Sequence, residues 1–212
     1  MDFKLYRNNA NIDFENFKEK LKKIDFYTAK KEDIGVFHYN EVLPNVYHII
    51  FYINEEYRTG SKFVERISSI PMDIYINSFI ILEKNMIFIE NIYDEYCQLI
   101  INNINSKFNL LFDKIILNNN YFCKLVYTKV RKVLQCDFEI DGSLIQKENK
   151  NDTIKLIDKG EQIYFINFTL DLHEYTDILI SIKKDGKYNI ATNVPIVLVS
   201  ILRNLIEDIA IE

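Results

Sequence analysis

Asp137, Glu139 and Asp141 alternate along one segment. On an extended strand their carboxylates emerge on one side, a donor set that suits a hard divalent cation. Neither a positioned lysine nor a second carboxylate set accompanies them, so a metal-dependent hydrolase is kept as an alternative and no metal is assigned. Asp171, His173, Glu174 and Asp177 gather an imidazole and carboxylates at an expected strand end, where polar residues collect in any case. His38 and His48 stand among apolar neighbours and read as ordinary sheet or core side chains. Cys97, Cys123 and Cys136 are too widely spaced for a zinc knuckle or a CxxC pair and read as small buried hydrophobes. The five glycines, 35, 60, 142, 160 and 186, form neither a Walker loop nor a dinucleotide fingerprint, and no serine sits in a GxSxG elbow. Enzymatic activity is therefore not expected, and no cofactor is implied.

Charge offers a second chemistry. Lys18, Lys20, Lys22 and Lys23 line one side of an expected helix, and Lys124, Lys129, Arg131 and Lys132 line another. Of these, Lys18, Lys22, Lys124, Arg131 and Lys132 are the candidate contacts to phosphates in a nucleic-acid-binding alternative. The net charge of −5 argues against a surface built as a whole for nucleic acid. A protein partner, or self-association, is therefore the preferred expectation.

These side chains need elements to hold them. The 212 residues are 48% hydrophobic and 14% aromatic, enough for a continuous core. Residues 194–202 form the longest apolar stretch, well short of the roughly 18 needed to span a bilayer. The N-terminal residues lack the layout of a signal peptide, so a cytoplasmic location and no membrane contact are expected.

Alternation predicts strands over 3–7, 35–40, 46–53, 72–82 and 86–90. Helices are expected over 13–24 and 92–108, the second capped by Asn91, with Tyr93, Cys97, Ile100, Ile104 and Phe108 inward. The interval 57–69 fits either a strand or a short helix. A further strand at 113–118 leads to a helix over 119–134 that points Phe122, Leu125, Val126, Val130 and Val133 inward. Strands at 135–141, 152–157, 162–172, 176–183 and 187–192 follow, with 142–151 a polar loop. The last helix, 194–209, takes Asn193 as its cap and Pro195 in its first turn.

Met86 to Asn91 runs into one helix as Tyr188 to Asn193 runs into another, and both halves read strand, helix, antiparallel meander, helix. The fold class is α+β, with a first repeat over 1–111 and a second over 112–212. This order resembles the tandem TATA-binding-protein-like fold, which implies one curved antiparallel sheet with helices on one face. It implies fold alone, since folds of this type host unrelated functions.

The second face of such a sheet is the remaining candidate surface. Tyr75, Asn77 and Phe79 alternate against Ile74, Ile76 and Ile80, and Phe165, Asn167 and Thr169 alternate against Tyr164, Ile166, Phe168 and Leu170. Those six residues are the expected partner-binding set, mixing aromatic area with directional polar groups. The strand 46–53 is apolar on both faces, which places it centrally or at an interface. The expected function is thus a non-enzymatic binding or adaptor protein.

Overall fold

A computed structural model describes residues 1–9, 14–22, 33–61, 64–172, 175–192 and 194–209. Among these it contains eleven strands and five α-helices, and the chain is α+β. It divides into two compact units, one of Met1–Arg7 with Lys114–Glu212, the other of Asn8–Asp113.

The unit 8–113 is built on an antiparallel meander of β2 (Ile34–Leu43), β3 (Val46–Ser61), β4 (Val64–Ile81) and β5 (Met86–Glu90). The β2–β3 and β4–β5 reversals rest on asparagines with left-handed backbone, Asn45 at φ 62° and Asn85 at φ 54°, a conformation that asparagine tolerates better than most residues. Of the interval 57–69, residues 57–61 belong to β3 and 64–69 to β4, which pair from Val46↔Ile81 to Ser61↔Val64, and 62–63 lie outside the described residues. Two helices complete the unit, α1 (Phe14–Lys22) and α2 (Asp94–Phe108). Asp94 and Glu95 occupy the first turn of α2, where acidic side chains complement the helix dipole. Its N-cap is Tyr93 without a side-chain bond, not the expected Asn91, whose Oδ1 instead accepts from the Cys97 thiol at 3.4 Å. Tyr93 is correspondingly exposed, and Tyr96 and Ile101 join the buried stripe.

In the other unit the strands run in the order β1 (Asp2–Asn8), β11 (Lys187–Ile190), β10 (Tyr175–Lys183), β9 (Gln162–Leu172), β7 (Val130–Ile140), β8 (Ser143–Lys147). β6 is only the short segment Phe112–Lys114. Helix α3 (Asn119–Thr128) ends where β7 begins, so Val130 and Val133 belong to a strand, not to the expected helix. Register shifts fall between Val130 and Lys132 and between Val133 and Gln135. Each adds a residue on β7, so buried Val130, Val133 and Cys136 recur every third position and imitate helical spacing.

Two more expectations are corrected here. The polar segment 142–151 contains β8, reached through a two-residue turn in which Asp141 and Gly142 both have positive φ. Residues 152–157 are helical, within α4 (Lys150–Asp158). There Asn149 caps the helix by accepting from the Asp152 N–H at 2.8 Å, and Thr153 and Ile157 bury one face. β9 therefore returns to pair with β7, not with β8, and the run from β7 to β11 does not follow a simple meander. The last helix, α5 (Pro195–Ile206), starts with proline as expected and buries Leu198, Val199, Ile201, Leu202, Leu205 and Ile206. Its expected cap, Asn193, lies outside the described residues, as do His173 and Glu174. Among the described residues no helix is long and apolar enough to cross a membrane.

Candidate binding surface

In the unit 8–113, register brings polar side chains of neighbouring strands together on one sheet face, His48 and Asn77 as diagonal neighbours. β2, β3 and β4 place Asn40 opposite His48, His48 opposite Phe79, and Ile50 opposite Asn77. The Asn77 amide nitrogen donates to Glu90 Oε2 at 2.7 Å, and the Asn77 backbone N–H reaches the same oxygen at 3.1 Å. That orientation leaves Asn77 Oδ1 as an acceptor for His48 Nε2, 3.0 Å away. In the neutral imidazole Nε2 thus carries the proton and Nδ1 keeps its lone pair. The His48 ring lies on Phe79, with centroids 4.8 Å apart and planes at 14°. The imidazole is held both in its plane and at its edge.

Beside this relay lies an aromatic pair. A register shift between Val36 and His38 makes Phe37 an extra residue in the β2 ladder, and a bulge of this kind redirects a side chain. The Phe37 ring meets Tyr75 edge-on at 4.7 Å. Phe37 is 51% exposed and Tyr75 45%. Tyr52, opposite Tyr75, is buried, and its ring lies where a Cβ on Gly35 would be, so glycine is required there by space.

The three expected contact residues of this unit therefore differ in kind. Tyr75 is exposed, Asn77 is half-buried within the relay, and Phe79 is 3% exposed, so its ring supports His48 and does not meet solvent. His48, Glu90 and Phe37 were not in the expected set. Each depends on strand register, which alternation within a single strand does not encode.

In the other unit, Phe165, Asn167 and Thr169 are half-buried on one face of β9. Pairing aligns Gln135, Asn167, Ser181 and Asn189 into a polar row across β7, β9, β10 and β11. Asn189 donates to Asp2 at 2.8 Å. Asn167 Oδ1 and Thr169 Oγ1 are buried without a hydrogen-bond partner, an uncommon state for polar atoms inside a protein. Tyr164, expected inward, is exposed: Asp137 pairs with Phe165 and Phe138 with Ile163, so Tyr164 is the additional residue of a bulge.

The remaining candidates do not converge. Gln135 donates to both oxygens of Asp137 at 3.1 Å, Glu139 is exposed, and Asp141 sits in the turn at φ 51°. Among the described residues no three His, Cys, Asp or Glu side chains gather into a group that could hold a metal. Lys124 is on α3 as expected, but Arg131 and Lys132 lie on β7. Lys124 bonds Asp208 at 2.8 Å and Arg131 bonds Asp177 at 3.1 Å, while Lys132 is exposed. Lys18 is half-buried and already has an interaction, and the Lys22 side chain lies outside what the structure describes.

Asp208 organises its surroundings. It takes Lys129 at 2.8 Å as well as Lys124, and Lys129 also reaches Glu207 at 3.3 Å. Burial pushes the Asp208 carboxyl up, but the two ammonium groups outweigh it and hold the acid below its ordinary range. A small cleft of about 100 Å³ lies among Arg7, Ile115, Leu117, Asn118, Tyr121 and Ile209, less than the ~300 Å³ at which small-molecule pockets begin. Tyr121 and Tyr188 meet through their hydroxyls at 3.4 Å, and burial raises both phenols well above their ordinary value, so they remain neutral.

Compared with known protein families and with curated proteins, the chain matches none of them.

Proposed function

We propose that this chain is a non-enzymatic binding or adaptor protein that engages a protein partner through the sheet face of the unit 8–113. The observation that carries this reading is the exposed Phe37–Tyr75 pair beside the fixed His48–Asn77–Glu90 relay. Aromatic anchors next to preoriented polar groups combine contact area with direction at little cost in conformational entropy. The polar row of the other unit, Gln135, Asn167, Ser181 and Asn189, is the second surface available to the same partner class. A cytoplasmic setting accompanies the reading.

The nucleic-acid alternative draws less support, because Lys124 and Arg131 are engaged by Asp208 and Asp177. The hydrolase alternative is weakened by the separation of Asp137, Glu139 and Asp141. Two repeats in a TATA-binding-protein-like arrangement remain part of the proposal. They are supported by β5 leading to α2 and β11 leading to α5, and opposed by α4, which has no counterpart described in the first half.

The test is purification of the native protein with its companions, beside a Phe37→Ala/Tyr75→Ala double variant. A stoichiometric protein companion that the double variant loses while keeping its circular dichroism and thermal midpoint is the expected result. Undiminished co-purification by the double variant overturns the assignment of this face.

A further inference from the structure

The strand β8 is an edge strand of its unit, and its free edge is built differently from that of β2, an edge strand of the unit 8–113. Register shifts interrupt the β2 ladder in two places and its outward residues include His38, Asn40 and Glu41. Bulges and polar groups of this sort keep an edge from pairing with foreign strands. The β8 ladder, from Ile140↔Ser143 to Cys136↔Lys147, has no register shift. Its residues Ser-Leu-Ile-Gln-Lys contain no proline and no charge before Lys147, and Leu144 and Ile145 are 60% and 38% exposed.

The turn fixes which backbone groups are free. A two-residue hairpin loop makes Ile140 and Ser143 a hydrogen-bonded pair. Ser143, Ile145 and Lys147 consequently direct their N–H and C=O groups at β7. Leu144 and Gln146 direct theirs away from it, and no strand among the described residues receives them.

We propose that β8 pairs antiparallel with β8 of a second copy of this chain, about a two-fold axis through Ile145. In that register Leu144 faces Gln146 of the second copy and Gln146 faces its Leu144, each pair exchanging N–H and C=O in both directions. Ile145 meets Ile145 at a non-hydrogen-bonded position, where opposing side chains approach most closely. Lys147 faces Ser143 of the second copy, so no like charges oppose one another across the ladder. This fit of the segment to itself is the reason for naming a second copy as the occupant. The pairing is independent of the Phe37–Tyr75 surface, and either proposal stands without the other.

Sedimentation velocity on the full chain from about 1 to 100 µM covers the range in which a weak strand-to-strand interface fills. The wild type is expected to pass from monomer to dimer across that range, and Gln146→Pro to remain monomeric throughout. The proline removes an N–H that makes no bond within the chain, so the thermal midpoint should be kept. As a second readout, Ile145→Cys is oxidised and mapped by peptide analysis, and a 145–145 disulfide is expected. A wild type that stays monomeric, a Gln146→Pro protein that dimerises equally well, or oxidised dimers without the 145–145 link each overturn the proposal. Should Gln146→Pro fail to fold, the disulfide map decides alone.

Discussion

His48 Nε2 lies 3.0 Å from Asn77 Oδ1, and the direction of that bond is set one residue further on by Glu90, which holds the Asn77 amide nitrogen. A ring nitrogen on β3 is thereby oriented by a carboxylate on β5, with the asparagine of β4 between them.

Replacing Asn77 by leucine should break this chain at its centre. Glu90 and His48 would each lose a part-buried partner, which costs about 1–3 kcal/mol per unsatisfied group. Urea denaturation is expected to show a lower midpoint with an unchanged slope. Asn77→Gln, which displaces the amide, should recover little of the loss.

Asp208 predicts a pH dependence. Its pKa is lowered in the folded state, so the stability it contributes is complete above the unfolded carboxyl value and is lost as pH falls through the lower folded value. Asp208→Asn should therefore destabilise the protein at pH 7, with the difference from wild type shrinking below about pH 4. Thermal midpoints of the two proteins measured from pH 7 to pH 3 check this. A constant difference would refute the linkage.

Helix α4 depends on its cap. Asn149→Ala removes the acceptor for the Asp152 N–H and should cost about 1 kcal/mol. Asn149→Ser, which also caps, should retain most of that stability, as read by chemical denaturation.

Burial raises the Cys136 thiol to about 12, and Cys97 is also buried. Alkylation depends on the thiolate, so iodoacetamide at pH 8 should leave both unmodified in the native protein. The half-buried Cys123, whose thiol is also raised by burial, should react slowly and first. Mass spectrometry of the labelled peptides gives the order, and full labelling in urea gives the control.

The sequence made strands legible wherever one ladder runs without interruption. Met86–Glu90 and Gln162–Leu172 have the expected limits because their strong β-formers are bounded by turn residues. β7 hid behind its bulges: the added residues shift its buried positions to a spacing of three, which alternation cannot recognise and helical periodicity can. α4 was missed for the opposite reason, since Thr153, Ile154 and Ile157 favour strands while the Asn149 cap and the burial of positions 153 and 157 select a helix. The binding surface was legible only in part. Tyr75 and Asn77 follow from alternation on β4, but Phe37 needs the β2 bulge, and His48 and Glu90 need the register of neighbouring strands. The long-range partners of Lys124 and Arg131, at Asp208 and Asp177, leave no trace at local spacing.

The pairing of Asp2, Phe3 and Lys4 with Asn189, Tyr188 and Lys187 sets an order of events during synthesis. At ~5–20 residues per second, β1 leaves the ribosome on the order of ten seconds or more before β11 exists to receive it. The interval 8–113, whose meander closes through neighbours in the chain, has no such wait. Newborn protein therefore passes through a stage in which the side of β1 that receives β11 still lacks its strand, and the last part of the chain must be made before that ladder closes.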